Sequence, residues 1–160
     1  MSQIDKNNRY FIYGGSKKEI SEIIKFKSDN LIIHSQIPYK KVKKKIMQMD
    51  ILLMPYTKNA TFSGNYGNII NFMSPMKMFD YLGAGKIIVS SNIKVLKEVL
   101  KNNFNSLLIN NYLDVNEWKK KIDMIKLEKD KFTKLRLNAL KTAKKYSWNS
   151  RAKKIIRFVK

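Results

Sequence analysis

The chain has no cysteine, so neither a disulfide framework nor a thiolate metal site can be built from it. One histidine and twelve acidic residues in 160 leave little material for a transition-metal centre, and no metal or other cofactor is expected. No apolar run approaches the roughly 20 residues of a membrane-spanning helix. The opening Met1-Ser2-Gln3-Ile4-Asp5-Lys6 lacks the apolar stretch of a secretory signal. A cytoplasmic protein is the expectation that follows, and 160 residues suffice for one domain with a proper core.

Arginine is scarce as well. Of 33 basic residues only Arg9, Arg136, Arg151 and Arg157 are arginine, while the net charge is +21. A reader of nucleic acid would favour arginine for bidentate base contacts and clustered aromatics for stacking. Here lysine is spread along every helical segment, so no nucleic-acid partner is expected and the charge reads as solvated faces. The densest patch, Lys40-Lys41 with Lys43-Lys44-Lys45, lies on a short amphipathic segment whose Val42, Ile46 and Met49 face inward. A second reading of that patch is attraction to anionic lipid at the inner face of a membrane, or to nucleotide phosphates.

What is present is an alternation of strands and helices. Residues 9–13 run apolar into Gly14-Gly15, a strand ending in a tight turn. Residues 17–26 carry a helical stripe of Ile20, Ile23, Ile24 and Phe26. Further strands are expected at 31–34, 50–56, 87–91 and 106–109. Helices are expected at 40–49, 75–84, 93–100, 114–125 and 129–145, with a last one capped by Ser147 and running to the end. Tyr146 and Trp148 read as packing anchors of that last helix, and His34 as a plain surface residue. Residues 57–73 form a period-free stretch rich in Asn, Gly, Ser and Thr, and so long a loop inside a compact domain is usually functional. The pattern predicts an α/β fold, a Rossmann-like parallel sheet with helices on both faces.

Ser74-Pro75-Met76-Lys77-Met78-Phe79-Asp80-Tyr81-Leu82-Gly83-Ala84-Gly85-Lys86-Ile87-Ile88-Val89-Ser90-Ser91 carries the most chemistry. Ser74 is placed to cap a helix and Pro75 to fill its first position, where a missing N–H costs nothing. Lys77 lies beside the free first-turn amides, and Asp80 is one turn further on. Such a start suits an anion, with a carboxylate placed to accept from hydroxyls just beyond it. A phosphate followed by a ribose fits that spacing; an ordinary capped helix of an α/β domain fits it too.

That segment resembles the donor-site segment of the group 1 glycosyltransferases, retaining enzymes of the GT-B fold that use nucleotide-activated sugars. Tyr146-Ser147-Trp148, followed by Arg151-Ala152, resembles the opening of their closing helix. Asn30-Leu31-Ile32-Ile33 through Ile37-Pro38, then Met49-Asp50-Ile51-Leu52-Leu53-Met54-Pro55-Tyr56, resembles their paired strands with an Asp-and-Pro ending. The three matches stand in family order from about Arg9 to Phe158. The resemblance implies that the chain, 1–160, is the single nucleotide-sugar-binding domain of such an enzyme, one half of a GT-B fold.

The resemblance also implies roles. The amides at the start of the Pro75 helix, those of Met76 and Lys77 included, would take the diphosphate together with basic side chains. Asp80 would hold the ribose hydroxyls and the segment Gln36-Ile37-Pro38 the base, while the Gly14-Gly15 turn would border the nucleotide. Tyr56 and Ser74 would lie at the same edge of the sheet. No catalytic residue is assigned. The family spaces two glutamates eight positions apart; here Asp80 stands at the later place and Phe72 at the earlier, and Ser35 replaces a favoured glycine. The acceptor-binding N-terminal domain, on the order of 100–200 residues, and the first strand of the donor domain are not visible in the sequence. The expected partners are therefore a nucleotide sugar and that missing domain. The rival readings are a non-catalytic sugar-nucleotide-binding module or remnant, and a basic membrane-surface or nucleic-acid-binding protein.

Overall fold

The computed structural model describes residues 1–26, 28–58, 68 and 70–159. It divides into two compact units, Met1–Lys45 and Ile46–Lys160.

In the first unit, strand β1 (Tyr10–Tyr13) pairs in parallel with β2 (Leu31–His34), from Tyr10 opposite Leu31 to Tyr13 opposite His34. The connection carries α1 (Lys17–Ile24). Its start is a reciprocal capping box: Ser16 Oγ accepts from the Glu19 amide at 3.3 Å, and Glu19 Oε2 accepts from the Ser16 amide at 2.6 Å, which satisfies two first-turn donors at once. Between β1 and α1 the chain turns on Gly14 and Gly15 at φ 111° and 95°, values that L side chains rarely adopt. Gly14 N–H donates to His34 O at 3.1 Å, which extends the ladder into the turn. The unit begins α2 (Tyr39–Met47), on which Ile46 is buried and Val42 half-buried, while Lys40, Lys41, Lys43 and Lys44 are exposed.

In the second unit, β3 (Ile51–Met54), β4 (Ile87–Ser91) and β5 (Leu107–Ile109) form a parallel sheet in that order, with Met54 opposite Ser90 and Val89 opposite Leu107. All of β4 and β5 is buried, as the apolar residues 87–89 and 107–109 suggest for strands covered on both faces, with Ser90 and Ser91 buried at the end of β4. Helices α3 (Met76–Ala84), α4 (Val115–Leu127), α5 (Thr133–Lys145) and α6 (Trp148–Val159) complete it. The core joins Met54, Ile70, Met78, Leu82, Ile88, Leu96, Leu100 and Ala139. Gly85 ends α3 in the left-handed region at φ 61°. A Cβ there would stand 2.9 Å from Leu140 of α5, and Arg136 Nε donates to Gly85 O at 3.0 Å. Only glycine permits both the turn and the approach of the two helices.

The α/β class with parallel strands matches the expectation, with two sheets where the pattern suggested one. The expected helix over 93–100 is instead a single 3₁₀ turn, Leu96–Glu98. Val95 and Val99 are β-branched and stiff in a helix. The Asn105 side chain takes Val99 O at 3.0 Å and Lys101 N–H at 2.7 Å, offering the backbone an alternative to helical bonds. Ser147 does cap α6, accepting from the Ser150 amide at 3.2 Å. Tyr146 packs on Phe79 with ring centroids 5.7 Å apart, as an anchor should. Trp148 does not: it is 79% exposed, and its ring is met by the Arg151 guanidinium at 5.7 Å. No residue of α6 is buried, so its apolar stripe gives Trp148 nothing to pack into. His34 is exposed as expected, stacked on Tyr13 at 4.7 Å.

Candidate functional site

In a parallel sheet, ligands gather beyond the carboxyl ends of the strands. In the second unit that edge is where β3 ends in Pro55 and Tyr56. Proline stops the ladder, and the Tyr56 amide turns back on Met54 O at 3.0 Å, which fixes the Tyr56 backbone directly after the strand. The side chain is partly buried and packs against the core.

The chain returns to this edge at α3. Asn68 holds the return: its Nδ2 donates to Lys58 O at 2.6 Å and its Oδ1 accepts from the Ile70 amide at 3.1 Å. Ile70 is sunk in the core. Of the loop expected to be functional, residues 59–67 and 69 lie outside the described residues.

Ser74 does not cap α3. Pro75 itself occupies the N-cap, extended at φ −66° and ψ 114°, with no side-chain cap. With ψ at 114° Pro75 is extended and not helical, so the helix starts one position later than expected. Met78 N–H bonds to Pro75 O at 3.0 Å. Ser74, exposed, is then one residue too early to reach the amides that an N-cap oxygen satisfies. Met76 and Lys77 become the first two helical residues, whose amides by helix geometry have no intrahelical partner.

Lys77 turns towards the strand end. Its ammonium stands 4.5 Å from the centroid of the Tyr56 ring, a cation–π distance. The side chain retains exposed area, yet many protein atoms surround its charged tip, and desolvation pushes its pKa below the ordinary lysine range. The Tyr56 phenol is pushed up, first by burial and then by neighbouring Tyr81. Tyr81 is pushed up by burial and then by the charge of Asp80. Both phenols are therefore neutral at physiological pH, and Asp80 is close to Tyr81. Tyr56, Lys77, Asp80 and Tyr81 thus form one cluster at the carboxyl end of β3 and the start of α3. The cluster combines a cation, two free amides, a carboxylate and two aromatic faces.

Tyr81 was not among the residues singled out by sequence, although its place four residues after Lys77 puts it on the same helix face. Asn68 was also missed; an Asn two residues before a bonded amide is an Asx turn. A further pair stands beyond β4 and β5. Asn92 Nδ2 donates to Asn110 Oδ1 at 2.5 Å, while among the described residues Asn92 Oδ1 is buried with no donor. Gly14, Gly15, Gln36 and Ile37 belong to the first unit, with Gln36 exposed and Ile37 half-buried after β2.

Comparison with known proteins agrees with this architecture. Residues 1–146 match the family model described as "Glycosyl transferases group 1". No curated protein sequence matches the chain. Among solved structures it is similar to sucrose-phosphate synthase from Thermosynechococcus elongatus, with a TM-score of 0.71 at 14% identity, over 93% of this chain and 37% of that one. HepE from Anabaena in complex with UDP gives 0.71 at 14%, over 99% of this chain and 42% of that one. A Rickettsia africae glycosyltransferase gives 0.71 at 15%, over 98% of this chain and 41% of that one. Identities so low carry the fold alone. The chain spans about two fifths of the length of these proteins.

Proposed function

The chain belongs to the group 1 glycosyl transferases, and we propose that it is the donor-binding half of one. In this reading it holds a nucleotide-activated, hexose-type sugar for transfer to a cell-surface glycan or lipid acceptor. Transfer proceeds with retention and without a metal, and the chain is inactive alone. The observation that carries the proposal is the cluster of Tyr56, Lys77, Asp80 and Tyr81 at the carboxyl end of β3, where a diphosphate meets amides and a cation and a ribose meets a carboxylate. HepE, which shares the fold, is described with UDP and with UDP-glucose, which favours a uridine nucleotide.

The chemistry asked of such a site is departure of a nucleoside diphosphate from an oxocarbenium-like sugar. Negative charge grows on the leaving phosphate oxygens. Donors and cations already in place stabilise it without reorganising at the moment of reaction. Lys77 and the amides of Met76 and Lys77 supply that on this chain. Asp80 accepts from the ribose hydroxyls. The acceptor and the groups that orient it belong to the remainder of the enzyme, in keeping with the two fifths of its neighbours' length that the chain spans.

The test is a ¹⁵N NMR titration of the 160-residue chain with UDP and with GDP. Binding between about millimolar and micromolar, roughly −4 to −8 kcal/mol, should shift residues 74–81. Binding that leaves 74–81 unmoved would sink the assignment. Robust sugar transfer by the chain alone would sink the half-enzyme reading, because holding donor and acceptor together accounts for roughly 7–11 kcal/mol of such a barrier.

A further inference from the structure

Lys77 is in an adverse place for a cation. As the second residue of α3 it sits at the positive end of the helix dipole, where a basic side chain is disfavoured, and α3 has no acidic residue in its first turn. The ion pairs among the described residues join Lys119 to Asp123, Lys120 to Glu117 and Lys131 to Glu128; none involves Lys77. What meets its ammonium is the face of Tyr56, 4.5 Å from the ring centroid. That ring follows β3 in the chain, is placed by the turn of the Tyr56 amide onto Met54 O at 3.0 Å, and packs against the core.

We propose that Tyr56 is a positioning residue for Lys77: its ring face holds the ammonium above the first turn of α3, aimed for the diphosphate before the ligand arrives. This rests on the donor-site reading above and adds to it a role for the aromatic ring. A lysine side chain left free loses rotamer entropy when it is fixed. A ring that already confines it removes part of that cost from binding. The π face suits the task better than a carboxylate would. It attracts the cation without neutralising it, so the full positive charge remains for the phosphate. Desolvation of the ammonium works in the same direction, since a cation poor in water has more to gain from an anion.

The experiment is a double-mutant cycle on the full 160-residue chain, read by UDP affinity and by NMR. In the unaltered chain, NOEs between the Lys77 Hε protons and the Tyr56 ring, with an upfield ring-current shift of those protons, are expected without ligand. Tyr56→Phe keeps the ring and should bind UDP within about twofold of the unaltered chain. Tyr56→Leu should weaken UDP about three- to tenfold, and have no further effect once Lys77→Met is present. The role is overturned if the NOEs and the ring-current shift are absent, if Tyr56→Phe loses as much as Tyr56→Leu, or if Tyr56→Leu weakens UDP equally in the Lys77→Met background. Failure of the unaltered chain to bind UDP would overturn the donor-site reading instead, and this role with it.

Discussion

The two units are held together by different means. In Ile46–Lys160 the interior is mainly apolar: Met54, Leu82, Ile88, Leu96 and Leu100 have no exposed surface, with Ser90, Ser91, Asn105, Ser106 and Asn138 buried besides. In Met1–Lys45 the buried residues among those described are Ser2 and Asp5, and every apolar side chain is half-buried or exposed. Order there comes from a polar hub. Asp5 accepts from the Asn7 amide at 3.2 Å, from Asn8 Nδ2 at 2.7 Å and from the Tyr10 hydroxyl at 2.5 Å; Asn30 Nδ2 donates to both Asp5 O and Asn8 O at 2.7 Å. Apolar burial stabilises broadly and without direction. A hydrogen-bonded hub fixes one geometry, and each bond adds only about 1 kcal/mol net. The cluster of Tyr56, Lys77, Asp80 and Tyr81 stands in the unit with the apolar core, where a binding constellation can be kept rigid.

The sharpest way to break this contrast is Leu82→Ala. A fully buried leucine reduced to alanine costs about 2–5 kcal/mol, read as a lower denaturation midpoint with faster amide exchange across β3, β4 and β5. Asp5→Ala should cost about 1–3 kcal/mol, with the loss of exchange protection confined to β1 and β2. Spread of that loss into β4 would show that the units share one source of stability. In the second unit, the proposed ribose role of Asp80 predicts that Asp80→Ala weakens UDP roughly tenfold more than it weakens inorganic pyrophosphate, which has no hydroxyls to lose. Equal losses by calorimetry for both ligands would make Asp80 a structural residue. Gly14→Ala should destabilise the first unit by about 1 kcal/mol through its φ of 111° alone, since nothing lies within 4 Å of the added Cβ.

The smallest effect expected is an acid one. The Glu19 carboxyl is held below its ordinary value of 4.5 by hydrogen bonds from the Ser16 backbone and side chain. A depressed carboxyl contributes stability above the unfolded value and loses it as the pH falls through the folded one. Amide exchange in α1 should therefore quicken below pH 4.5, ahead of exchange in α4 or α5. Glu19→Gln, which removes the titrating carboxyl, should erase that difference.

Most of the element order was legible in the sequence, because strand and helix periods alternate cleanly and Gly85, Asp114 and Ser147 mark ends that the structure respects. What misled was local. Pro75 is extended at ψ 114° and so moves the start of α3 past Ser74; the φ that proline fixes suits the N-cap and the first helical position alike, so residue types did not distinguish the two. Asn105 dissolved a helix over 93–100 by supplying bonds from a position beyond it. In the candidate site, Lys77, Asp80 and Tyr56 could be named from spacing and from resemblance. Their mutual arrangement could not, since the cation–π contact spans α3 and the end of β3, and sequence spacing carries no information about which way a lysine folds.

The chain has two tryptophans, and they stand in opposite surroundings. Trp118 is buried, its indole N–H bonded to Tyr112 O at 2.9 Å, while Trp148 at the head of α6 is open to water. Their fluorescence should separate accordingly: a blue-shifted emission from Trp118 that iodide does not quench, and a red-shifted, quenchable one from Trp148. Anything that comes to cover the stripe of α6 would move the second band and leave the first alone. The molecule thus carries an intrinsic optical reporter of that surface, with its own internal reference.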